Sequence, residues 1–171
     1  ARCVNAVAPG RWPLEQKLRW CEQVFTDAGL PLIVRITPMT QPPELDTELA
    51  ARGLRRFDDT RVMVLPELTS ASPPQLPAEV SLRSVGLEAF ASHVGELRKS
   101  PLSQRQAHGQ RLTHSPVPFH AVELHLNGKL ASCGQMALEA DLVGLYDIYT
   151  APEARGKGLA RLLCQHLLAH A

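Results

Sequence analysis

The sequence predicts an α/β fold of the α+β type: a mixed, mainly antiparallel sheet flanked by helices, incomplete at both ends. Four observations carry that prediction. Phe119 to Leu126 alternates at period two on strand-forming composition. Asn127-Gly128, the strongest short hairpin signal, turns it into a returning run from Lys129 to Leu138. After a turn at Asp141, Leu142 to Thr150 reads as a third strand. The polar stretch from Ala151-Pro152 through Arg155-Gly156-Lys157-Gly158 then opens a helix-compatible run, Leu159 to His170.

The preceding elements follow in order. Val4 to Pro9 reads as a strand closed by proline, and Leu14 to Ala28 as an amphipathic helix stopped by Gly29. Pro31 to Thr37 is a strand rich in β-branched residues, Leu45 to Arg52 a short helix ended by Gly53, and Arg61 to Leu65 a further strand. Pro66 to Pro77 holds four prolines among serine and threonine, which neither helix nor central strand accommodates. A linker over residues 68–78 therefore divides a first segment, 1–67, from a second, 79–171. The second begins with a strand at Val80 to Ser84. Glu88 to Lys99 has apolar residues at Ala89, Phe90, Val94 and Leu97 and is stopped by Pro101; Ser103 to Thr113 is a polar, exposed helix. The order after the linker is β-α-α-β-β-β-α.

Composition narrows the function classes. A formal net charge of +1 over 171 residues gives no reason to expect nucleic acid or an anionic membrane as partner. No apolar run approaches the ~20 residues that span a bilayer. The first residues lack both a signal-peptide core and an initiator methionine, so the chain reads as a fragment or a trimmed piece. Cys3, Cys21, Cys133 and Cys164 show no C-x-x-C spacing and are expected to be buried free thiols, in keeping with a cytoplasmic location.

Chemistry concentrates after the third hairpin strand. Arg155, Gly158 and Ala160 stand in an R-x-x-G-x-A spacing at the start of a helix. Glycines let backbone approach a ligand closely, and the first N–H groups of a helix are unpaired with a partial positive charge behind them. Such a turn suits phosphate or pyrophosphate. It is neither a Walker loop nor a G-x-G-x-x-G fingerprint. The stretch resembles the [QR]-x-x-G-x-[GA] pyrophosphate loop of the GNAT superfamily of acetyl-CoA-dependent N-acetyltransferases. The resemblance covers residues 79–171, and the wording of Gly144 to Pro152 is most like members with two GNAT repeats. The family would continue beyond the loop helix with further strands and a helix that complete the acceptor pocket. Ala8-Pro9 and Cys21 align with Ala151-Pro152 and Cys164 at one common offset, as a degenerate first repeat would. There Pro13 and Glu15 replace Gly156 and Gly158, so that repeat's anion site is lost. The first segment then reads as a closing half, and is expected to pack against the second in one globule.

The resemblance implies acetyl-CoA as co-substrate and no metal. Arg155, Gly156, Lys157, Gly158, Leu159 and Ala160 would hold the pyrophosphate. Ile148, Tyr149 and Thr150 would pair through their backbones with pantetheine, and one strand N–H would stabilise the tetrahedral oxyanion. A primary amine must lose a proton before attack, which makes Asp147, beside the acetyl-binding stretch, and Glu123, on the hairpin, the candidate bases. Tyr146, alternating with Asp147, reads as packing. His166 and His170 have i, i+4 spacing without a third ligand and read as solvated helix residues; His120 and His125 face opposite sides of a regular strand. No cysteine has an activating partner. The expected function is acetyl transfer from acetyl-CoA to a small-molecule or protein amine by direct attack, in a protein that can be a homodimer. The alternative is a CoA-binding module without transfer, acting as a sensor or structural partner.

Overall fold

Asn127 and Gly128 take φ angles of 52° and 77°, the two-residue turn whose twist matches that of the strands it joins. They connect β4 (Phe119–Leu126) to β5 (Lys129–Glu139), and Ala140, at φ 52°, helps turn β5 into β6 (Leu142–Thr150). β3 (Val80–Val85) completes an antiparallel sheet in the order β3-β4-β5-β6. In this computed structural model residues 3–68 and 72–171 are described. The chain divides into two compact units, Ala1–Met63 and Val64–Ala171.

Alternation along β4 sends side chains to both faces of the second unit's sheet. Val122 and Leu124 meet Leu159, Leu163 and Leu167 of α5 (Leu159–Leu168), with Ala131 and Met136 from β5. The alternate positions of β4, Ala121 and Glu123, serve the other face. Ala121 and Cys133 pack with Phe90, Ala91 and Val94 of α3 (Leu87–Leu97) and Leu112 of α4 (Leu102–Thr113). Leu163 and Leu167 are fully buried, each stabilising the fold by about 1.5–3 kcal/mol. The helix pair on one face and the single helix on the other are thus fixed by the period-two pattern of two strands.

The first unit contains β1 (Val4–Asn5), α1 (Leu14–Asp27), β2 (Val34–Arg35) and α2 (Leu45–Ala51). β1 and β2 pair in parallel, Val4 opposite Val34, with α1 as the crossover. Phe25, Leu45 and Leu49 are its buried apolar side chains. Gly29 and Gly53, at φ 65° and 84°, follow the two helices, as the sequence predicts.

Three expectations are corrected. Arg61 to Leu65 forms no strand, and Val62, Met63, Val64 and Leu65 are exposed by 85%, 93%, 79% and 69%. β-Branched composition favours a strand only where a pleated surface supplies neighbours, and this run has no ladder partner among the described residues. Of the four free cysteines only Cys133 is buried; Cys3, Cys21 and Cys164 are half-buried. Tyr146 and Asp147 do not alternate across β6, for a reason that belongs to the site. Of the predicted 68–78 linker, residues 69–71 lie outside the described residues, and 72–77 carry neither helix nor strand.

Candidate functional site

β6 is an edge strand: its one ladder partner among the described residues is β5. Ser132 pairs with Thr150 and Cys133 with Tyr149, yet Gln135 pairs with Tyr146, so Gly134 stands against two residues, Asp147 and Ile148. This is a β-bulge, and Asp147 is the residue with the left-handed backbone, φ 52°. The extra residue keeps Tyr146 and Tyr149 on one face with Gln135 and Cys133, and turns Asp147 toward the same side. Gln135 Nε2 donates to Asp147 Oδ2 at 2.8 Å. Gly134 has no side chain because Ile148 Cδ1 occupies that space; a Cβ there would lie 2.3 Å from it.

Beyond β6, a 3₁₀ turn at Pro152–Ala154 leads to Gly156 and Gly158, at φ 75° and 73°. Gly158 is the N-cap of α5. A Cβ on either glycine would meet nothing within 4 Å, so backbone dihedrals and ligand access, not internal packing, require glycine here. Among the described residues, no backbone N–H from Gly156 to Arg161 donates to a backbone carbonyl. These groups border a depression of about 170 Å³ lined by Thr150, Ala154, Arg155, Gly156, Gly158, Leu159, Ala160 and Arg161. Donors, helix N-terminus and two arginines fit an anion. The volume suits a phosphate pair rather than a whole nucleotide.

Arg155 is held on the rim. Its Nε donates to the Thr150 carbonyl at 3.1 Å, and its guanidinium lies 5.6 Å from the centre of the Tyr149 ring. Arg98 covers the same ring at 5.3 Å. Ser132 Oγ donates to the Tyr149 carbonyl at 2.8 Å and lies 2.9 Å from Thr150 Oγ1. Six of the sequence-predicted positions therefore line the depression: Thr150, Arg155, Gly156, Gly158, Leu159 and Ala160. Ile148, Tyr149 and Lys157 do not; Ala154 and Arg161 join it.

The two candidate bases lie apart. Asp147 Oδ1 accepts from Arg98 Nη1 at 2.8 Å, and Oδ2 is 3.1 Å from His108 Nε2 besides its bond from Gln135. It ties β6 to the end of α3 and to α4. Glu123 sits on β4, two strands away, 4% exposed. His93 Nδ1 contacts its Oε1, and His125 Nε2 lies 3.6 Å from its Oε2. Buried carboxylates are kept by such partners. Cys133, between the two groups, is fully buried, and burial pushes its thiol up to about 12, so it is no nucleophile. The His166 and His170 rings lie 4.3 Å apart between centroids, tilted by 48°, and no group of three metal-ligating side chains occurs among the described residues. Arg98, His108 and Gln135 were not singled out by sequence reasoning. The one local signal for them is Gly134, an isolated glycine in a strand pattern that marks a bulge.

Residues 88–171 fit the sequence model of the acetyltransferase (GNAT) family. A GCN5-related N-acetyltransferase from Kribbella flavida superposes with a TM-score of 0.58 at 19% identity, over 98% of this chain and 65% of that one. A tandem GNAT protein from the clavulanic acid biosynthesis pathway, solved without AcCoA, gives 0.62 at 18% identity, over 95% of this chain and 58% of that one. The chain thus spans less than two thirds of either protein, and at these identities the likeness is one of fold. No curated protein sequence gives a significant match. Residues 88–171 are a domain of the acetyltransferase (GNAT) family.

Proposed function

We propose that this protein transfers an acetyl group from acetyl-CoA to an amine of an acceptor, by direct attack on the thioester. The observation that carries the reading is the run of unpaired N–H groups from Gly156 to Arg161, beside the unpaired edge of β6. The first would bind the pyrophosphate with Arg155. The second would take pantetheine as an added strand along Ile148 to Thr150. In that position a backbone N–H of β6 faces the thioester carbonyl and stabilises the charge that develops on its oxygen. The protein contributes position and electrostatics rather than a covalent intermediate.

A second reading is a CoA-binding module without transfer. It is favoured by Asp147, whose two oxygens are both engaged by side chains of the protein itself. Isothermal titration with acetyl-CoA, CoA and inorganic phosphate tests the common ground. Binding of both CoA species, with no measurable heat from phosphate at equal concentration, is expected. Equal response to all three would reduce the site to a general anion site. Release of CoA thiol in the presence of amines then separates the enzyme from the module.

A further inference from the structure

We propose that His108 takes the acceptor's amine proton, with Asp147 as the residue that positions it. This rests on the acetyl-transfer reading above. His108 lies on α4, its side chain 20% exposed, with Nε2 3.1 Å from Asp147 Oδ2 and its ring edge-on to Phe90 at 6.4 Å between centroids. Nε2 approaches the carboxylate as an ion-pair contact rather than an aligned hydrogen bond; the tautomer with its proton on Nε2, next to the negative charge, leaves the lone pair on Nδ1. That nitrogen has no hydrogen-bond partner among the described residues and is not among their buried unpartnered atoms, so it is not fully buried. Asp147, at the bulge, immediately precedes Ile148, the start of the stretch proposed to bind the thioester, and its carboxylate reaches α4 at His108.

The alternative acid–base group is too distant. Glu123 and His93 stand on β4 and above it, and β4 is two strands from β6. At ~4.8 Å per strand this is about 10 Å, whereas a proton acceptor works at ~2.6–3.2 Å or through one water. Asp147 itself presents both oxygens to Arg98, Gln135 and His108. Among the described residues, the charged side chains within ion-pair distance of this pair are Asp147 from β6, for His108, and Arg98 from the end of α3, for Asp147. The Glu96–Arg105 pair links α3 and α4 nearby at 2.8 Å.

The step balances without a further reactant. His108 Nδ1 takes one proton from the acceptor ammonium. The freed nitrogen lone pair forms a bond to the thioester carbon, and the carbon–sulfur bond breaks. The amine's second proton goes to the departing CoA thiolate, and the imidazolium returns its proton to solvent. The products are an acetamide, CoA thiol and one proton.

The test compares wild type, His108→Ala, His108→Gln and Asp147→Asn, each checked for folding by circular dichroism. CoA thiol release from acetyl-CoA is followed with a panel of alkyl polyamines, amino acids and lysine peptides across pH. In wild type the rate falls on acidification. His108→Ala is expected to lose ~10²–10⁴-fold in kcat, to bind acetyl-CoA as wild type does, to lose the acidic limb, and to regain turnover on addition of imidazole. Asp147→Asn is expected to lower kcat while keeping the limb. A folded His108→Ala or His108→Gln variant with wild-type turnover, or with the same acidic limb, would overturn the assignment. Acetyl-CoA binding without turnover of any amine in the panel would overturn it as well and favour the module. Absence of acetyl-CoA binding would instead overturn the acetyl-transfer reading on which it rests.

Discussion

Asp147 holds a left-handed backbone, φ 52°, which costs a non-glycine residue on the order of 1–3 kcal/mol and persists only where surroundings impose it. Here Arg98, Gln135 and His108 do so. None of that was legible from period-two alternation, because a bulge inserts a residue without changing composition. Gly134 marked the place, but not which residue would be extra. The place of Arg155 at the rim of the depression is legible, since its spacing from Gly158 is a property of local sequence. It carries a prediction: Arg155→Ala removes charge-assisted phosphate contacts and weakens acetyl-CoA binding by about 1.5–3 kcal/mol, read by calorimetry. Unchanged affinity in the folded variant would take Arg155 out of the site. His166 carries a second. Desolvation, then His170 and His120, hold its imidazole below its ordinary 6.5. A folded-state value below the unfolded one means full stability above 6.5, lost as pH falls and the unfolded chain binds the proton first. His166→Gln should therefore flatten the decline of stability on acidification below pH 6.5 in urea titrations. An unaltered pH slope would show that His166 is as free to charge in the fold as outside it.

Element boundaries in the second unit follow from local signals. Alternation predicts Phe119–Leu126 with the bounds the structure shows, and the hairpin, β6 and α5 are where alternation, Asn127-Gly128 and the glycine loop put them. Arg61 to Leu65 failed because a strand needs a partner, which composition does not specify. The packing of α3 on α4 was equally invisible, and two glycines expose it. At Gly109 of α4 a Cβ would make ordinary contacts, 3.6 Å from Ala91 Cβ and from the Glu88 Cα. At Gly95 of α3 it would lie 2.2 Å from Arg105 Cγ and 2.5 Å from Cδ, in the middle of a side chain that also bonds Glu96. Both substitutions gain helix propensity of about 1 kcal/mol. Gly109→Ala should therefore stabilise by about 0.5–1 kcal/mol, while Gly95→Ala should destabilise by about 1–3 kcal/mol through overpacking. Urea denaturation of the two variants decides it. Equal stabilisation by both would mean that Arg105 does not cross α3 at Gly95.

At the scale of the molecule, the proposed ligand site uses parts of the second unit that hold its core together. Leu159, in the loop's wall, is 4% exposed and belongs to the same cluster as Val122, Leu124 and Leu163. Ala154, also in the wall, is in that cluster too. The loop is thus continuous with the packing of α5 on the sheet, and a ligand bound there is lost when the unit unfolds. By mass action, a ligand that binds only the folded state stabilises it by RT ln(1 + [L]/Kd), about 2.7 kcal/mol at a hundredfold excess over Kd. Acetyl-CoA at that level should slow hydrogen exchange about 100-fold at amides that open only by global unfolding of the second unit. The expected amides lie in β4 and β5, flanked on both faces by buried clusters and remote from the loop in sequence. Protection that stays within Gly156 to Arg161 would mean that the loop opens independently of the core. The continuity through Leu159 and Ala154 would then carry no stability. Slowing of the β4 and β5 amides by acetyl-CoA, and not by inorganic phosphate at the same concentration, is the outcome that the shared wall predicts.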